Sequence, residues 1–419
     1  MKLPRPALAM TALALALALL TAAVVAAPPS GETEITFNGF PLTLDSPARS
    51  EQGTTLVPVE ELCAAIGASG WVIGSREDLT PIQGGVSYWW AEDGSHTFSA
   101  SWNGGPVASV TAGEGGARME DGVLWAPLRP FAQALGFSVD WDGRAELSVP
   151  AATVRVTTLE ELFNAVADQT AIVLDVEPGT TLDFSTLDWS QVENDHVALE
   201  TDVDTRDMGY GESPHPEAFD VIIHDVQDLT ISAPGGVTLS TPWAYADVLK
   251  FENCRRLTLE GLTAVHDVEP GFCVGDCLQL ENCRDVRVAG CTLDGSGAYG
   301  LQALDCAGIT LENCEISHCT YGAVSLTNCR AVRLREGVIL DCRDVFTLVG
   351  GVGCQDVQIE HTAIRGCTAG ALASFSQSLR VSFTGCAVEN CGFGALNGVD
   401  WTASGGAVFL DCAGLEASA

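Results

Sequence analysis

The stretch that decides the fold is a repeat, and its clearest part, residues 278–329, reads LQLENCRDVRVAGCTLDGSGAYGLQALDCAGITLENCEISHCTYGAVSLTNC. Aligned copies share three columns of small, cysteine-like positions. The first column contains Cys254, Cys283, Cys306, Cys329, Cys354 and Ser378, at steps of 29, 23, 23, 25 and 24 residues. The second, eight residues later, contains Leu262, Cys291, Cys314, Gly337, Thr362 and Cys386. The third, thirteen residues after the first, contains Asp267, Ser296, Cys319, Cys342, Cys367 and Cys391. A period of this length indicates stacked structural repeats.

Between the columns, apolar and polar residues alternate with a period of two. Leu257 and Leu259 follow the first column in this way, and later copies repeat the pattern. Such alternation predicts a strand with one buried face. A second run precedes the first column, as at Leu278 and Leu280, and a third centres ten residues after it, as at Leu293. The sequence therefore predicts a mainly β protein whose solenoid, a parallel β-helix, has three short strands per coil.

Stacking of the coils explains the cysteine columns. Equivalent positions of neighbouring coils lie about 4.8 Å apart, and an inward corner favours a small, apolar, polarisable residue such as buried cysteine. Ser, Thr and Gly replace cysteine in the columns, which fits a limit on size. We expect ladders of free thiols. Disulfides are the alternative, because an exported chain with 16 cysteines often contains them. We expect no metal site, since Cys273 and Cys277 have no second cysteine pair at zinc spacing.

The first 27 residues are typical of a secretory signal peptide. Lys2 and Arg5 precede an uncharged Ala- and Leu-rich run, and residues 25–27 suit a small-residue cleavage site. The run is long for a signal, so an uncleaved membrane anchor is the alternative. We expect a secreted or cell-surface protein with no other membrane segment.

Residues 31–150 contain an internal duplication. GTTLVPVEELCAAIG at 53–67 matches DGVLWAPLRPFAQALG at 121–136, and each copy predicts a strand, a proline at a helix start and a glycine stop. This small α+β region resembles the copper amine oxidase N-terminal-like (stalk) domain of secreted bacterial proteins. The resemblance implies attachment or spacing. It implies no copper, because His96 is the only histidine in the region.

Residues 153–419 are predicted to form the β-helix, with an N-terminal capping helix that begins at Thr158 and has Glu161 in a capping box. From Tyr245 to Gly300 the chain resembles the secreted right-handed parallel β-helix proteins of the pectate-lyase-like superfamily, and the resemblance extends over about residues 153–410. It implies a right-handed helix. It does not fix an activity, because the superfamily includes lyases, hydrolases, epimerases and non-catalytic binders. The Gly275-Asp276-Cys277 stretch matches only a fragment of the aspartate cluster of galacturonan hydrolases.

The strongly acidic composition restricts the partners. With 55 Asp and Glu against 20 Lys and Arg, the formal net charge is −35. This charge argues against nucleic acids and anionic membrane surfaces. We expect no cofactor, although the acidic residues Asp202, Asp204, Asp207 and Glu212 could bind Ca²⁺. A solvated acidic loop is the alternative for this cluster.

Candidate site residues come from register within the repeat. His318 and Asp341 are equivalent positions on adjacent coils, and Asp294 lies one coil before His318, so general acid–base chemistry is one interpretation and a polar surface ladder is the other. These three residues and Asp276 are the catalytic candidates. The candidates for ligand binding are His266 and Glu269, in the longest insertion, and the nearly aligned aromatic residues Tyr299, Tyr321 and Phe393. The aromatic side chains could stack on sugar rings or pack against one another.

The sequence favours an exported β-helix protein, a monomer, that binds extracellular or cell-wall polysaccharide. A polysaccharide lyase or glycoside hydrolase acting on an extracellular glycan is the second hypothesis. A structural or adhesive spacer without catalysis is the third. Whether the protein is an enzyme is left open at this stage.

Overall fold

The computed structural model describes residues 33–51, 53–67, 71–75, 86–90, 96–100, 108–112, 118–200, 219–268, 274–295, 298–394 and 408–413. The chain divides into two compact units. The first comprises the described residues of 1–36, 41–135 and 139–146. The second comprises those of 37–40, 136–138 and 147–419.

Before residue 150, the strands form three four-stranded sheets. Their bounds are Ile35–Phe37, Phe40–Pro41, Arg49–Glu51, Thr54–Pro58, Trp71–Ser75, Val86–Trp90, His96–Ala100, Ala108–Ala112, Arg118–Glu120, Val123–Pro127, Ser138–Trp141 and Ala145–Ser148. The helices of this region are Val59–Ile66 and Leu128–Leu135. The two duplicated sequences thus form the predicted strand and helix, and Gly67 and Gly136 follow the helices with φ of 83° and 78°, which suits glycine.

The repeat forms a parallel β-helix with three faces, which we call A, B and C. Face A contains Ala152–Val156, Thr170–Leu174, Arg284–Ala289, Ala307–Glu312, Arg330–Arg335, Gln355–Glu360 and Val408–Ala413. Face B contains Thr180–Asp183, Thr292–Asp294, Glu315–Ser317, Val338–Leu340 and Ala363–Arg365. The long strands Leu229–Thr241, Arg255–His266 and Leu379–Glu389 continue from face A into face B. Face C contains Val197–Glu200, Asp220–His224, Leu249–Glu252, Leu278–Glu281, Tyr299–Leu304, Gly322–Thr327, Val345–Val352, Thr368–Ser376 and Gly392–Phe393.

The register between coils is the one that the repeat predicts. On face A, Val286 pairs with Ile309 and Ile309 with Val332. On face B, Leu293 pairs with Ile316. These inward positions are at most 2% exposed, so each coil buries its apolar side chains against its neighbours.

The corners of the coils use residues that tolerate a left-handed backbone. The residue before each first-column position has φ between about 50° and 68°; these residues are Asn253, Asn282, Asp305, Asn328, Gly353 and Gln377. Asn, Asp and Gly adopt this conformation at lower cost than other residues. The amide of Asn282 also donates to Asn253 Oδ1 at 2.7 Å, so the corner side chains connect neighbouring coils.

The column cysteines are free thiols, and all but Cys391 are buried. They are more than small apolar residues, because each is a hydrogen-bond donor. Cys306 Sγ donates to the carbonyl oxygen of Leu304, two residues earlier, and to that of Leu280 on the preceding coil, at 3.1 and 3.5 Å. Ser378, in the same column, donates to the carbonyl oxygen of Ser376 at 2.9 Å. The column therefore selects a small donor, and a limit on size is only part of the explanation.

The entry to the solenoid differs from expectation in four respects. The capping helix, which the sequence predicts to run to about Asp168, spans Leu159–Asn164. It ends earlier because the side chain of Asn194 donates to carbonyl oxygens of its last turn. Thr158 caps the helix as predicted, since its hydroxyl accepts the N–H of Glu161. The carboxylate of Glu161 accepts the N–H of Thr157, one residue before the residue that a capping box would use. Two further short helices span Phe184–Thr186 and Trp189–Gln191. The sequence predicts that residues 188–217 form an acidic, irregular loop. The described part of this segment contains the strand Val197–Glu200, which pairs antiparallel with Asp220–His224.

Candidate functional site

An aromatic groove lies on the outer surface of face C. Tyr321 and Phe346 occupy equivalent positions on adjacent coils, as the register of their strands shows, and they are 41% and 87% exposed. The ring of Tyr299, one coil earlier, is edge-on to that of Tyr321, with the centroids 6.2 Å apart. Gly322 makes room for this arrangement, because a Cβ atom there would lie 2.5 Å from the carbonyl oxygen of Thr347 and 3.1 Å from the ring of Tyr299.

The floor and far side of the groove are small and hydroxylated. One outward row passes from Gln302 through Ser325 and Gly350 to Ser374. The groove has a volume of about 240 Å³. The residues that line it include Thr327, Ser376 and the consecutive glycines Gly350 and Gly351. Among the described residues that line it, none carries a charge. The groove therefore offers flat apolar rings beside hydroxyl groups.

A stack of three aspartates leads along face C to this groove. Asp220 Oδ1 accepts the backbone N–H of Asp247, Asp247 Oδ1 accepts that of Asp276, and Asp276 Oδ1 accepts that of Tyr299, at 2.7, 2.7 and 2.9 Å. Asp220 and Asp276 are 5% and 3% exposed. Burial, with the neighbouring carboxyl groups second, raises the pKa of Asp220 and of Asp247 to about 7. Burial likewise raises the pKa of Asp276 to about 7. The stack therefore holds both protonated and ionised carboxyl groups near neutral pH.

Lys250 partly balances the first end of the stack. Its Nζ lies 2.9 Å from Glu200 and 3.8 Å from Asp220. Burial lowers the pKa of Lys250, but the hydrogen bond to Glu200 and the nearby carboxylates outweigh it, so the pKa is raised overall. The lysine is therefore engaged by carboxylates of its own chain.

His266, a candidate for ligand binding, supports the chain beside the aspartate stack. It is 4% exposed, and its Nε2 lies 2.7 Å from the carbonyl oxygen of Ala246, the residue before Asp247. Burial lowers the pKa of His266. Gly275, which precedes Asp276, lies against the imidazole of His266: a Cβ atom at Gly275 would be 3.0 Å from Nε2. The histidine therefore positions the backbone that carries two of the aspartates.

His318 and its carboxylate neighbours form a separate, exposed corner. His318 Nδ1 lies 2.6 Å from Asp294 Oδ1, which also accepts from Ser317 at 3.1 Å. Asp341, the equivalent residue on the next coil, accepts from Arg343 at 2.8 Å. His318 and Asp341 both have positive φ, 54° and 49°. The structure thus joins His318 to Asp294 and pairs Asp341 with arginine, and this corner is a polar ladder on the turn between faces B and C.

The remaining candidates lie elsewhere. Phe393 packs against the interior apolar cluster, and its register partner is Ala369. Glu269 lies outside the described residues, as do the acidic residues considered for Ca²⁺ and the signal segment. In the described part of the chain, no group of three or more His, Cys, Asp or Glu side chains is arranged to hold a metal ion. The helices described there are all too short or too polar to span a membrane.

Phe346, Asp220 and Asp247 lie at the site without having been predicted from the sequence. Phe346 lies eight residues before the first column, at the same spacing as Tyr321, and that shared spacing could have found it. Asp247, Asp276 and Tyr299 likewise share a spacing of seven residues. Asp220 does not fit this series, because the register partner of Asp247 is one residue before Asp220.

Comparison with solved structures found matches of low sequence identity. A pectate lyase from Paenibacillus sp. 0602 is 7% identical, with a TM-score of 0.33, and the match covers 57% of this chain and 60% of that one. The surface protein and adhesin PfbA of Streptococcus pneumoniae is 9% identical, with a TM-score of 0.26, over 63% of this chain and 86% of that one. Tailspike protein 3 of bacteriophage CBA120 is 10% identical, with a TM-score of 0.18, and the match covers 92% of this chain and 90% of that one.

The search of curated protein sequences produced no match. Residues 252–412 match the family described as "Right handed beta helix region". This match covers the coils that carry the cysteine columns and the aromatic groove, and the repeated half of the chain is a right-handed parallel β-helix.

Proposed function

We propose that this protein is an exported β-helix protein that binds extracellular or cell-wall polysaccharide along face C. The observation that carries the proposal is the groove of Tyr299, Tyr321 and Phe346 beside a row of hydroxyl groups. Aromatic rings stack on the apolar faces of sugars, and hydroxyl side chains exchange hydrogen bonds with sugar hydroxyls. Export rests on the signal-like sequence of residues 1–27.

The extreme exposure of Phe346 supports a binding role. A phenylalanine that is 87% exposed contributes little to folding, whereas a contiguous exposed aromatic patch typically marks a binding surface. The exposed rings of Tyr321 and Phe346 are therefore available to a ligand.

The proposal is tested by measuring retention of the mature protein on a broad polysaccharide panel, with and without Ca²⁺. We expect Tyr321→Ala and Phe346→Ala each to weaken binding to the retained glycan about tenfold, which corresponds to about 1.4 kcal/mol. Leu379→Ala is the matched control, since Leu379 is an exposed apolar residue, 56% accessible, on face A. An equal loss in the control, or unchanged binding in both groove variants, would contradict the proposal.

A second function, glycoside hydrolysis, is favoured by the aspartate stack. Asp220, Asp247 and Asp276 have their pKa values raised to about 7 by burial, and Asp276 is joined directly to Tyr299 in the groove. Carboxyl groups with such values can act as general acid and base at neutral pH.

The panel distinguishes binding from hydrolysis. New reducing ends that disappear in Asp276→Asn would assign catalysis to the stack. Loss of turnover in His318→Ala or Asp341→Ala, with Asp276→Asn still active, would assign it to the exposed corner. Retention without turnover supports the binding protein. Neither retention nor turnover would leave a structural spacer as the function.

A further inference from the structure

We propose that the groove on face C selects uncharged glycans and that the glycan chain lies along the axis of the β-helix. This inference rests on the proposed function and specifies its ligand. Tyr299, Tyr321 and Phe346 belong to three successive coils, so their rings follow the axis over about 10 Å at the usual strand spacing. A glycan that contacts all three rings must therefore cross the strands.

The charges around the groove carry the selectivity. The outward row of face C that reaches the groove passes from Lys250 through Gln279 and Gln302 to Ser325. Among these residues the one cation, Lys250, lies three coils before Ser325. That lysine is engaged by Glu200. Hydrogen bonds also join the amides of Gln279 and Gln302, at 3.1 Å. An anionic sugar would therefore meet neutral groups in the groove.

The acidic stack makes the approach of an anion less favourable still. Asp276 holds the backbone of Tyr299 at the first end of the groove, and Glu281 lies on the same strand as Gln279. The whole chain has a formal net charge of −35. Like charges on two partners reduce both the rate and the strength of association, and no cation of the groove compensates. A neutral glycan avoids this cost and still gains the aromatic and hydroxyl contacts.

The test compares neutral and anionic forms of the same backbone. Hydroxyethylcellulose is paired with carboxymethylcellulose, and methyl-esterified homogalacturonan with polygalacturonate, within the broad panel of uncharged and charged polysaccharides. We expect the tightest ligand to be uncharged, its carboxylated form to bind about tenfold more weakly, and its own binding to change little between about 0.15 M and about 1 M salt. A tightest ligand that is anionic would overturn the inference and leave the proposed binding function intact.

A gain-of-function variant adds a second test. Ser325→Lys introduces a cation into the groove, and we expect it to bind carboxymethylcellulose or polygalacturonate at low salt and to lose that binding at high salt. Ser382→Lys, which adds the same charge on face A, is the control and should not gain it. If both variants gain binding to the anionic polysaccharide equally, the gain comes from the change in net charge, and the inference is overturned. If the wild type retains no glycan of the panel, the proposed function itself fails and the inference fails with it.

Discussion

Cys306 shows why the columns are rich in cysteine. Its thiol donates to two carbonyl oxygens, and Ser378 uses its hydroxyl in the same way. The hydrogen bond with Cys283, together with burial, raises the pKa of Cys306 to about 12, so the thiol stays protonated and remains a donor at neutral pH. A residue of the first column must therefore be small and must have a side-chain hydrogen-bond donor.

We expect Cys306→Ala to lower the free energy of unfolding by about 1–2 kcal/mol relative to Cys306→Ser, because alanine leaves two buried carbonyl oxygens without this donor and opens a small cavity. Urea unfolding of the two variants and the wild type, under reducing conditions, measures the difference. An alanine variant as stable as the serine variant would show that size alone decides the column.

The sequence predicted the small size of these residues and their alignment, but not their role as donors. The partners are backbone carbonyl oxygens, such as that of Leu304, and no side-chain pattern marks them. Thr362 illustrates the point, because its hydroxyl donates to the carbonyl oxygen of Glu360 at 3.1 Å. Ser and Thr in a cysteine column are the one sign that a donor is required.

On the scale of strands and coils, the aspartate stack makes stability depend on pH. Burial raises the pKa of Asp276 to about 7, well above the value of about 3.9 for an unfolded aspartate. The folded state then binds more protons than the unfolded state between these values. The contribution of Asp276 to the free energy of unfolding is therefore fully present below about pH 4, and it is lost as the pH rises to about 7.

We expect Asp276→Asn to be more stable than the wild type at about pH 8 and to show a smaller decline in stability from about pH 5 to about pH 8. The asparagine oxygen can still accept the N–H of Tyr299, so the variant removes the charge and keeps the bond. Urea midpoints across this range measure the change. Asp305→Asn, at a corner of a neighbouring coil, is the control and should keep the decline of the wild type; identical profiles for both variants would contradict the prediction.

The three-stranded coil, its register and the corner residues could be predicted from the sequence, because each is a local pattern repeated many times. The groove could be predicted only in part. The sequence predicts Tyr299, Tyr321 and Phe393, because they nearly align and each precedes a glycine, and it does not single out Phe346. Register alone does not decide which ring faces outward, because Tyr299 pairs with Gly322, one residue out of step with Tyr321, and still lines the groove. Phe393 pairs with Ala369 and packs against the interior apolar cluster.

On the scale of the whole molecule, the solenoid shields its thiols. Cys391 is the one cysteine of the described columns that is not fully buried. We expect the native protein, kept anaerobic, to react with very few equivalents of a thiol reagent, with Cys391 first among the column cysteines. All 16 should react after denaturation.

Mass spectrometry after alkylation counts the reacted thiols and locates them. If far fewer than 16 thiols react in denatured, unreduced protein, the chain contains disulfides, and the expectation of free thiols is wrong. Rapid reaction of the buried column cysteines in native protein would show that the coils open readily, since reaction requires access to the sulfur.

Each coil is bonded mainly to the coil before it and the coil after it, and the bonds between coils run along the axis of the β-helix. Under a pull on the two ends of the solenoid along this axis, every interface between coils would carry the same force, and the interfaces would open one after another. The chain would therefore lengthen in steps of one repeat, 23 to 25 residues in the regular region from Cys283 to Ser378. A solenoid built in this way would lengthen gradually under force instead of unfolding in a single step.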